Sequence, residues 1–152
     1  MYSLEEFEIY DKAKSKVLKY VLYKKRTEQE VRQKFSKELE ETVLNDIIEE
    51  LKENAYIDDY NYIDRSVNEY INLKNLSITE VKYKLYSKGI KSNLIEEYIY
   101  ENKEELLQYE IKSACNIIYK KRNTMNNEEL KLNLVKKGYK EESIKEAFNN
   151  LD

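Results

Sequence analysis

The amino-acid sequence predicts an all-α protein made of three tandem three-helix repeats that form an elongated, curved rod. Proline is absent from the 152 residues and glycine occurs only twice, which favours helix almost everywhere. Apolar residues recur three and four positions apart, as on the buried face of an amphipathic helix. A helix-start pattern also recurs at a period of roughly 50 residues, which indicates a repeated structural unit.

The recurring helix start has the form of a capping box, an N-cap residue followed three positions later by Glu. In this motif the two side chains satisfy backbone N–H groups that the first helical turn leaves free. It occurs at Thr27 with Glu30, Ser77 with Glu80, and Asn126 with Glu129. We expect Gly89 and Gly138 to adopt the left-handed conformation that ends the second and third of these helices. The first repeat has Lys-Glu-Leu at the corresponding place and lacks the glycine.

The apolar spacing predicts nine helices, with bounds uncertain by a few residues. We place them at residues 5–25, 28–37, 41–54, 59–75, 78–88, 92–102, 104–122, 127–137 and 141–150. The repeats are predicted at 1–54, which includes an N-terminal helix extension, at 55–102 and at 103–152. The expected core positions that follow the three capping boxes are Val31, Phe35, Val81, Leu85, Leu130 and Leu134.

Composition argues against several classes of function. Histidine is absent, which removes the commonest metal ligand and the usual general base near neutral pH. The two glycines are far apart, so there is no glycine-rich phosphate loop. We therefore expect a non-enzymatic protein with no catalytic residue, no cofactor and no bound metal.

Two further features concern location. No apolar run is long enough to cross a bilayer, and the first residues do not resemble a secretory signal. The lone Cys115 cannot form an internal disulfide and is expected to be a small core residue. We expect a cytoplasmic protein without a membrane partner, since a lone cysteine agrees with a reducing compartment.

Charge alternates at the repeat period although the net charge is only −3. Residues 16–37 hold eight Lys or Arg and two Glu, whereas residues 38–59 hold nine acidic residues and one Lys. The second helix of each repeat is basic and the third is acidic. One interpretation is charge pairing within repeats and with helix dipoles on solvated faces. The other is a two-sided surface that binds a partner of alternating charge.

Three segments resemble those of a known family. Residues 56–59, Tyr-Ile-Asp-Asp, followed by Tyr62, resemble the Gly-Tyr-Leu-Asp-Asp-x-x-Phe/Tyr-Ala segment of RecX proteins, the regulators of the RecA recombinase. Residues 26–31 are similar to the family's Arg-x-Ser-x-x-Glu-Leu, one spacer residue shorter. Residues 84–90 resemble its Leu-x-x-Lys-Gly-Ile. The resemblance covers about residues 13 to 151. The chain departs from the pattern in four places, since Ala55 replaces Gly, Ile63 replaces Ala, the first repeat lacks its Lys-Gly, and residues 74–76 lack a Gly.

The resemblance implies a fold of three tandem three-helix repeats and a binding mode. It implies that the chain, expected to be a monomer, binds along the helical groove of the RecA–single-stranded-DNA filament. Single-stranded DNA would be contacted mainly through the filament. The resemblance further implies that binding limits filament growth and lowers ATP hydrolysis, strand exchange and RecA-stimulated repressor cleavage.

The candidate filament-binding residues form a predicted basic ridge that recurs with the repeats. They are Lys24, Lys25, Arg26, Arg32, Lys82, Lys84, Lys88, Lys120, Lys121, Arg122, Lys131 and Lys136. Two alternatives are a helical-repeat module that binds DNA directly, as helix-turn-helix proteins do, and a generic helical adaptor. The acidic third helices disfavour simple duplex binding, because they would flank the phosphates.

Two other residue groups have a functional and a structural interpretation. Asp58 and Asp59 could hold a metal, but capping of the fourth helix is favoured because no third ligand is near in sequence. Tyr20, Tyr70 and Tyr119 could stack on bases. Equivalent core packing in the three repeats, with each hydroxyl reaching the surface, is favoured.

Overall fold

The computed structural model describes residues 3–151, and helices are the only regular secondary structure in that range. The elements are α1 (Leu4–Tyr23), α2 (Glu28–Phe35), α3 (Glu41–Glu53), α4 (Asp59–Val67), a π-helical segment (Asn68–Leu73), α5 (Ile78–Ser87), α6 (Ser92–Glu101), α7 (Lys103–Lys121), α8 (Asn127–Lys136) and α9 (Glu141–Asn149). The all-α prediction is confirmed.

The predicted helix bounds agree with the structure to within a few residues, apart from one change of geometry. Residues 59–75 were predicted as a single α-helix, but Asn68–Leu73 form a wider π-helical turn. Contacts from α7 accompany this turn, since the Ser113 hydroxyl donates a hydrogen bond to the carbonyl oxygen of Ile71 at 2.9 Å. Beyond the turn, Asn116 donates to the side chain of Asn75 at 3.0 Å. Asn75 itself has a left-handed backbone, with φ of 53°.

The chain divides into two compact units. The first unit contains the described residues up to Tyr62 together with Lys88–Ile90, and the second contains Ile63–Ser87 and Lys91 onward. The rod shape and the repeat boundaries at 1–54, 55–102 and 103–152 stay predictions.

Apolar faces of α1, α2 and α3 form the core of the first unit. Its buried members are Ala13, Val17, Val21, Val31, Phe35, Leu44, Ile47, Ile48, Leu51 and Ile57. Tyr20 packs edge-on against Phe35, with the ring centres 5.6 Å apart. The predicted core positions Val31 and Phe35 are thereby confirmed.

The second unit buries the corresponding residues of the later helices. The predicted core positions Val81, Leu85, Leu130 and Leu134 are all buried, which confirms them. Around α7, α8 and α9 the core contains Ala114, Ile117, Ile118, Leu130, Leu134, Tyr139, Ile144 and Ala147.

All three predicted capping boxes form. In the second, the Glu80 carboxylate accepts from the Ser77 N–H at 3.0 Å, and the Ser77 hydroxyl accepts from the Glu80 N–H at 3.1 Å. The same reciprocal pair joins Thr27 with Glu30 and Asn126 with Glu129. Because each bond lies within one helical turn, the sequence motif is sufficient to predict it.

The N-cap hydroxyls also bind the segments that contain the two glycines. In the first unit, Thr27 Oγ1 donates to the carbonyl oxygen of Lys88 at 2.9 Å. In the second unit, Ser77 Oγ donates to the carbonyl oxygen of Lys137 at 2.6 Å. The glycine that follows each of these lysines has φ of 80° (Gly89) or 91° (Gly138), as predicted. Each of these two hydroxyls thus caps its own helix and also binds a left-handed turn that lies far away in the sequence.

Candidate functional site

In the first unit, several basic-ridge residues contact other side chains. The guanidinium of Arg26 lies 4.0 Å from the ring centre of Tyr20, close enough for a cation–π contact. Arg32 Nε is 3.0 Å from Glu28 Oε2, and Arg32 also donates to Asn45 Oδ1 at 2.6 Å. Arg32 is therefore held in an internal network of α2 and α3.

The carboxylate of Glu28 is the centre of that network. Partial burial opposes its ionisation, but hydrogen bonds from Arg32 and Lys52 outweigh this and hold the pKa of Glu28 below its ordinary value. Lys52 Nζ lies 3.1 Å from Glu28 Oε1. Arg32 and Lys52 both stabilise the partly buried Glu28 carboxylate. This structural role accounts for Arg32 without a contact to an external partner.

In the second unit, Lys82 pairs with the acidic helix α6. Its Nζ lies 2.8 Å from Glu96 Oε1, and the Tyr86 hydroxyl donates to the same oxygen at 3.3 Å. The hydrogen bond that Lys82 donates to Glu96 lowers the pKa of Glu96 and raises the pKa of Lys82. The basic helix α5 thus pairs with the acidic helix α6, as one interpretation of the charge pattern predicted.

Most of the basic-ridge residues form no ion pair within the described part of the chain. Among residues 3–151, ion pairs of basic-ridge residues involve only Arg32, Lys82 and Lys88, whose Nζ lies 3.9 Å from Glu30 Oε2. The ridge residues outside such pairs are Lys24, Lys25, Arg26, Lys84, Lys120, Lys121, Arg122, Lys131 and Lys136. We call these nine the unpaired cations. They occur in both units.

Cations lie over all three of the tyrosines considered for base stacking. Lys74 and Lys84 place their Nζ atoms 5.4 and 5.7 Å from the ring centre of Tyr70. Arg122 lies 4.5 Å from the ring centre of Tyr119. Tyr20 and Tyr70 are half-buried.

The predicted core packing of Tyr119 is wrong, since its side chain is 64% exposed. The reason is the repeat register of α7. Val17, Val67 and Ile117 are all buried and lie 50 residues apart. At that offset Tyr119 corresponds to Lys19, an exposed position, and not to Tyr20. The 49-residue offset between the capping boxes applies only after α7 has ended.

The two aspartates after α3 cap different helices. Asp58 Oδ1 accepts from the Asn61 N–H at 3.0 Å and caps α4, as predicted. Asp59 Oδ1 instead accepts from the N–H of Glu28, the first residue of α2, at 3.0 Å, so its assignment to α4 is wrong. Burial raises the pKa of the Asp59 carboxyl. This contact spans 31 residues, which local capping rules do not reach.

A related carboxylate in the second unit was missed by sequence reasoning. The side chain of Glu110 is 0% exposed. Its Oε2 accepts from the N–H of Ile78, the first residue of α5, at 2.7 Å. Its Oε1 accepts from the Lys140 N–H at 3.0 Å and from the Ser143 hydroxyl at 2.7 Å. The sequence did contain a signal for this site. Glu110 is an acidic residue on an otherwise apolar helix face, and it lies 51 residues after Asp59.

Cys115 packs beside the core of α7, α8 and α9, as predicted for a small core residue. Its Sγ lies 3.6 Å from the carbonyl oxygen of Ala147, and partial burial raises the pKa of the thiol.

Within the described range, no three acidic or cysteine side chains are grouped so that they could hold a metal ion. None of the helices between residues 3 and 151 combines the length and hydropathy needed to cross a membrane.

Comparison with curated proteins finds relatives that share one name, Regulatory protein RecX. The protein of Staphylococcus carnosus (strain TM300) is 33% identical over 140 residues, which cover 89% of this chain and 52% of that protein. Those of Staphylococcus epidermidis (strain ATCC 12228 / FDA PCI 1200) and Staphylococcus aureus (strain JH9) are 29% and 30% identical, covering 100% of this chain. This chain spans 58% and 57% of their lengths. No family model matches the chain.

Solved structures share the fold of the chain. A structure described as regulatory protein RecX superposes with a TM-score of 0.77 at 20% identity, covering 99% of this chain and 81% of that chain. RecX from Lactobacillus salivarius superposes with a TM-score of 0.76 at 24% identity, covering 94% of this chain and 96% of that chain. The curated relatives and the shared fold agree with the motifs noted at residues 26–31, 56–59 and 84–90. The chain therefore belongs to the RecX family.

Proposed function

We propose that this chain regulates a RecA-type recombinase by binding the RecA–single-stranded-DNA filament along its groove. Binding limits filament growth and thereby lowers ATP hydrolysis and strand exchange. The observation that carries the proposal is the sequence similarity of this chain to proteins named Regulatory protein RecX. The similarity extends over 89% to 100% of the chain. The proposed activity needs binding and no catalytic group.

The charge distribution supports the same proposal. A filament on DNA presents phosphates at a regular spacing, and lysine or arginine contacts to phosphate add affinity that falls with salt. The unpaired cations can make such contacts without breaking an internal ion pair. The positions of Arg32 and Lys82 are better explained by their ion pairs with Glu28 and Glu96. The residues proposed to contact the filament are therefore the unpaired cations and not the whole basic ridge.

The direct test is RecA-dependent ATP hydrolysis on single-stranded DNA as the chain is titrated. We expect inhibition at amounts well below one chain per RecA subunit, because one bound regulator that stops growth removes many later subunits. Unchanged hydrolysis at excess chain would remove the proposed function and leave the family assignment intact.

A second measurement separates filament binding from direct DNA binding. The measurement is the retention of the chain on immobilised single-stranded DNA, with and without RecA and ATP. Retention that increases strongly with RecA supports the filament as the partner. Equal retention in both conditions would instead indicate a module that binds DNA by itself.

A further inference from the structure

The outward faces of α5 and α8, both in the second unit, carry large apolar side chains that no core residue covers. On α5 these are Tyr83 and Tyr86, which are 69% and 37% exposed. On α8 they are Leu132 and Val135, which are 61% and 60% exposed. Each pair is spaced three residues apart, so its members share one helix face.

The two pairs are connected where the turn that follows α8 contacts the first turn of α5. Gly138 lies three residues after Val135, and a Cβ atom on it would be only 2.7 Å from the Cβ of Thr79. The Thr79 hydroxyl donates to the carbonyl oxygen of Gly138 at 3.1 Å. Thr79 precedes Tyr83 by four residues, one helical turn on the same face. We call Leu132, Val135, Tyr83 and Tyr86 the apolar stripe.

Lysines flank this stripe. Lys84 and Lys131 are adjacent in sequence to Tyr83 and Leu132, and Lys136 is adjacent to Val135. All three belong to the unpaired cations. An apolar centre with a charged rim is the usual anatomy of a protein–protein interface. The partner surface that complements it has an apolar centre and an acidic rim.

The aliphatic members of the stripe favour a protein over nucleic acid as the occupant. Binding of single strands uses aromatic rings as stacking platforms, and Leu132 and Val135 have no ring. Two exposed aliphatic side chains gain most when they enter an apolar pocket of a protein. We infer that the apolar stripe docks on the protein surface of a recombinase subunit, with the flanking lysines facing acidic side chains of that subunit. This inference rests on the proposed function.

The test measures binding of the labelled chain to RecA filaments on single-stranded DNA over a series of salt concentrations. In the test variant, Leu132→Ser and Val135→Ser are combined. We expect about tenfold weaker binding or more at every salt concentration, because central apolar contacts dominate interface energy. The slope of affinity against salt is expected to stay unchanged, because no phosphate contact is removed.

The matched control combines Leu73→Ser and Tyr100→Ser. These side chains are in the same unit and are even more exposed, but they lie outside the stripe. The control should bind like the wild type, and so should Leu132→Met with Val135→Met, which keeps the apolar area. All variants should keep wild-type melting, since the changed side chains are exposed.

Three results would overturn the inference while the proposed function survives. The stripe variant could bind as the wild type does, or the control could weaken binding equally. The stripe could also serve self-association, which would appear as a wild-type dimer, a monomeric stripe variant and equal filament binding. If the wild-type chain binds no filament at all, the proposed function itself fails and the inference falls with it.

Discussion

Four residues of the described range have a left-handed backbone, and all four follow a helix. They are Ala55 with φ of 62°, Asn75 with 53°, Gly89 with 80° and Gly138 with 91°. Asn tolerates this conformation, but an Ala side chain is strained there. Ala55 stands where the family pattern has glycine, and Asn75 lies in the stretch 74–76, which lacks the glycine of the family pattern. The chain thus departs from the pattern in residue type, and its backbone is left-handed at Ala55 and Asn75.

Gly89→Val should destabilise the protein for two reasons. Its φ disfavours a β-branched residue, and a Cβ atom would lie 2.3 Å from Gln29 Cγ. We expect the free energy of unfolding to fall by about 1 kcal/mol or more. Urea denaturation measures the change. Gly89→Asn is the comparison, because Asn accepts the left-handed backbone and should cost less than Val. An unchanged denaturation midpoint for the Val variant would contradict this account.

Ala55→Gly should stabilise the protein, which is the opposite of the usual effect of introducing glycine. Glycine relieves the left-handed strain of Ala55, which outweighs the added freedom of the unfolded chain. The expected gain is about 0.5 to 1 kcal/mol, seen as a higher melting temperature. Ser36→Gly is the matched control. Ser36 is exposed with an ordinary right-handed backbone at the end of α2, so glycine there should lower the melting temperature.

At the scale of elements, the half-buried Asp59 and the buried Glu110 connect helices whose first N–H groups would otherwise lack acceptors. Asp59 binds the first residue of α2, and Glu110 binds the first residue of α5 and the N-cap residue of α9. A helix N-terminus carries partial positive charge, which favours a carboxylate there. Glu110 in particular connects α5, α7 and α9.

Glu110→Ala should therefore be among the most destabilising single substitutions of the second unit. It leaves the N–H groups of Ile78 and Lys140 and the Ser143 hydroxyl without an acceptor in a buried site. Unpaired buried polar groups cost about 1 to 3 kcal/mol each, so we expect a loss of roughly 3 kcal/mol or more. Thermal or urea unfolding checks it. Glu97→Ala, an exposed position on α6, serves as the control and should change stability by less than about 0.5 kcal/mol.

At the scale of the whole molecule, the structure separates two kinds of cation that look alike in the sequence. Lys82 and Arg32 neutralise partly exposed glutamates of their own repeats. The unpaired cations form no ion pair with an acidic residue of the described range, although they lie in the same basic blocks of the sequence. The charge-pairing interpretation is therefore confirmed for Lys82 and Arg32, and partner binding stays a prediction for the unpaired cations.

Reversal of unpaired cations should weaken filament binding without unfolding the chain. In the test variant, Lys84→Glu, Lys131→Glu and Lys136→Glu are combined. We expect lower affinity for RecA filaments and a flatter dependence of affinity on salt, because charge–charge contacts with the filament are lost, with melting nearly unchanged. Filament binding and thermal melting are the two measurements.

The acidic counterpart is Glu97→Lys, Glu101→Lys and Glu105→Lys, all at exposed positions. Glu96 is left out because its loss would free Lys82. If this variant loses binding and the basic one does not, the acidic residues of α6 and the start of α7 form the contact surface, and the assignment of the unpaired cations is wrong.

The sequence by itself determined the features that depend on a few consecutive residues. The helix bounds, the three capping boxes, the left-handed Gly89 and Gly138 and the core positions from Val31 to Leu134 all follow from it. Each rests on hydrogen bonds within one or two turns or on the periodicity of one helix face. Such patterns are readable without knowledge of what packs against them.

Only the tertiary structure decided which residues meet across the fold. The partner of Asp59, the burial of Glu110, the register that exposes Tyr119 and the π-helical turn at Asn68–Leu73 all depend on contacts between distant segments. The same holds for the division between paired and unpaired cations. A charged residue looks the same in sequence whether or not an acid 14 residues away reaches it, as Glu96 reaches Lys82. Long-range geometry determines these contacts, and local propensity does not contain it.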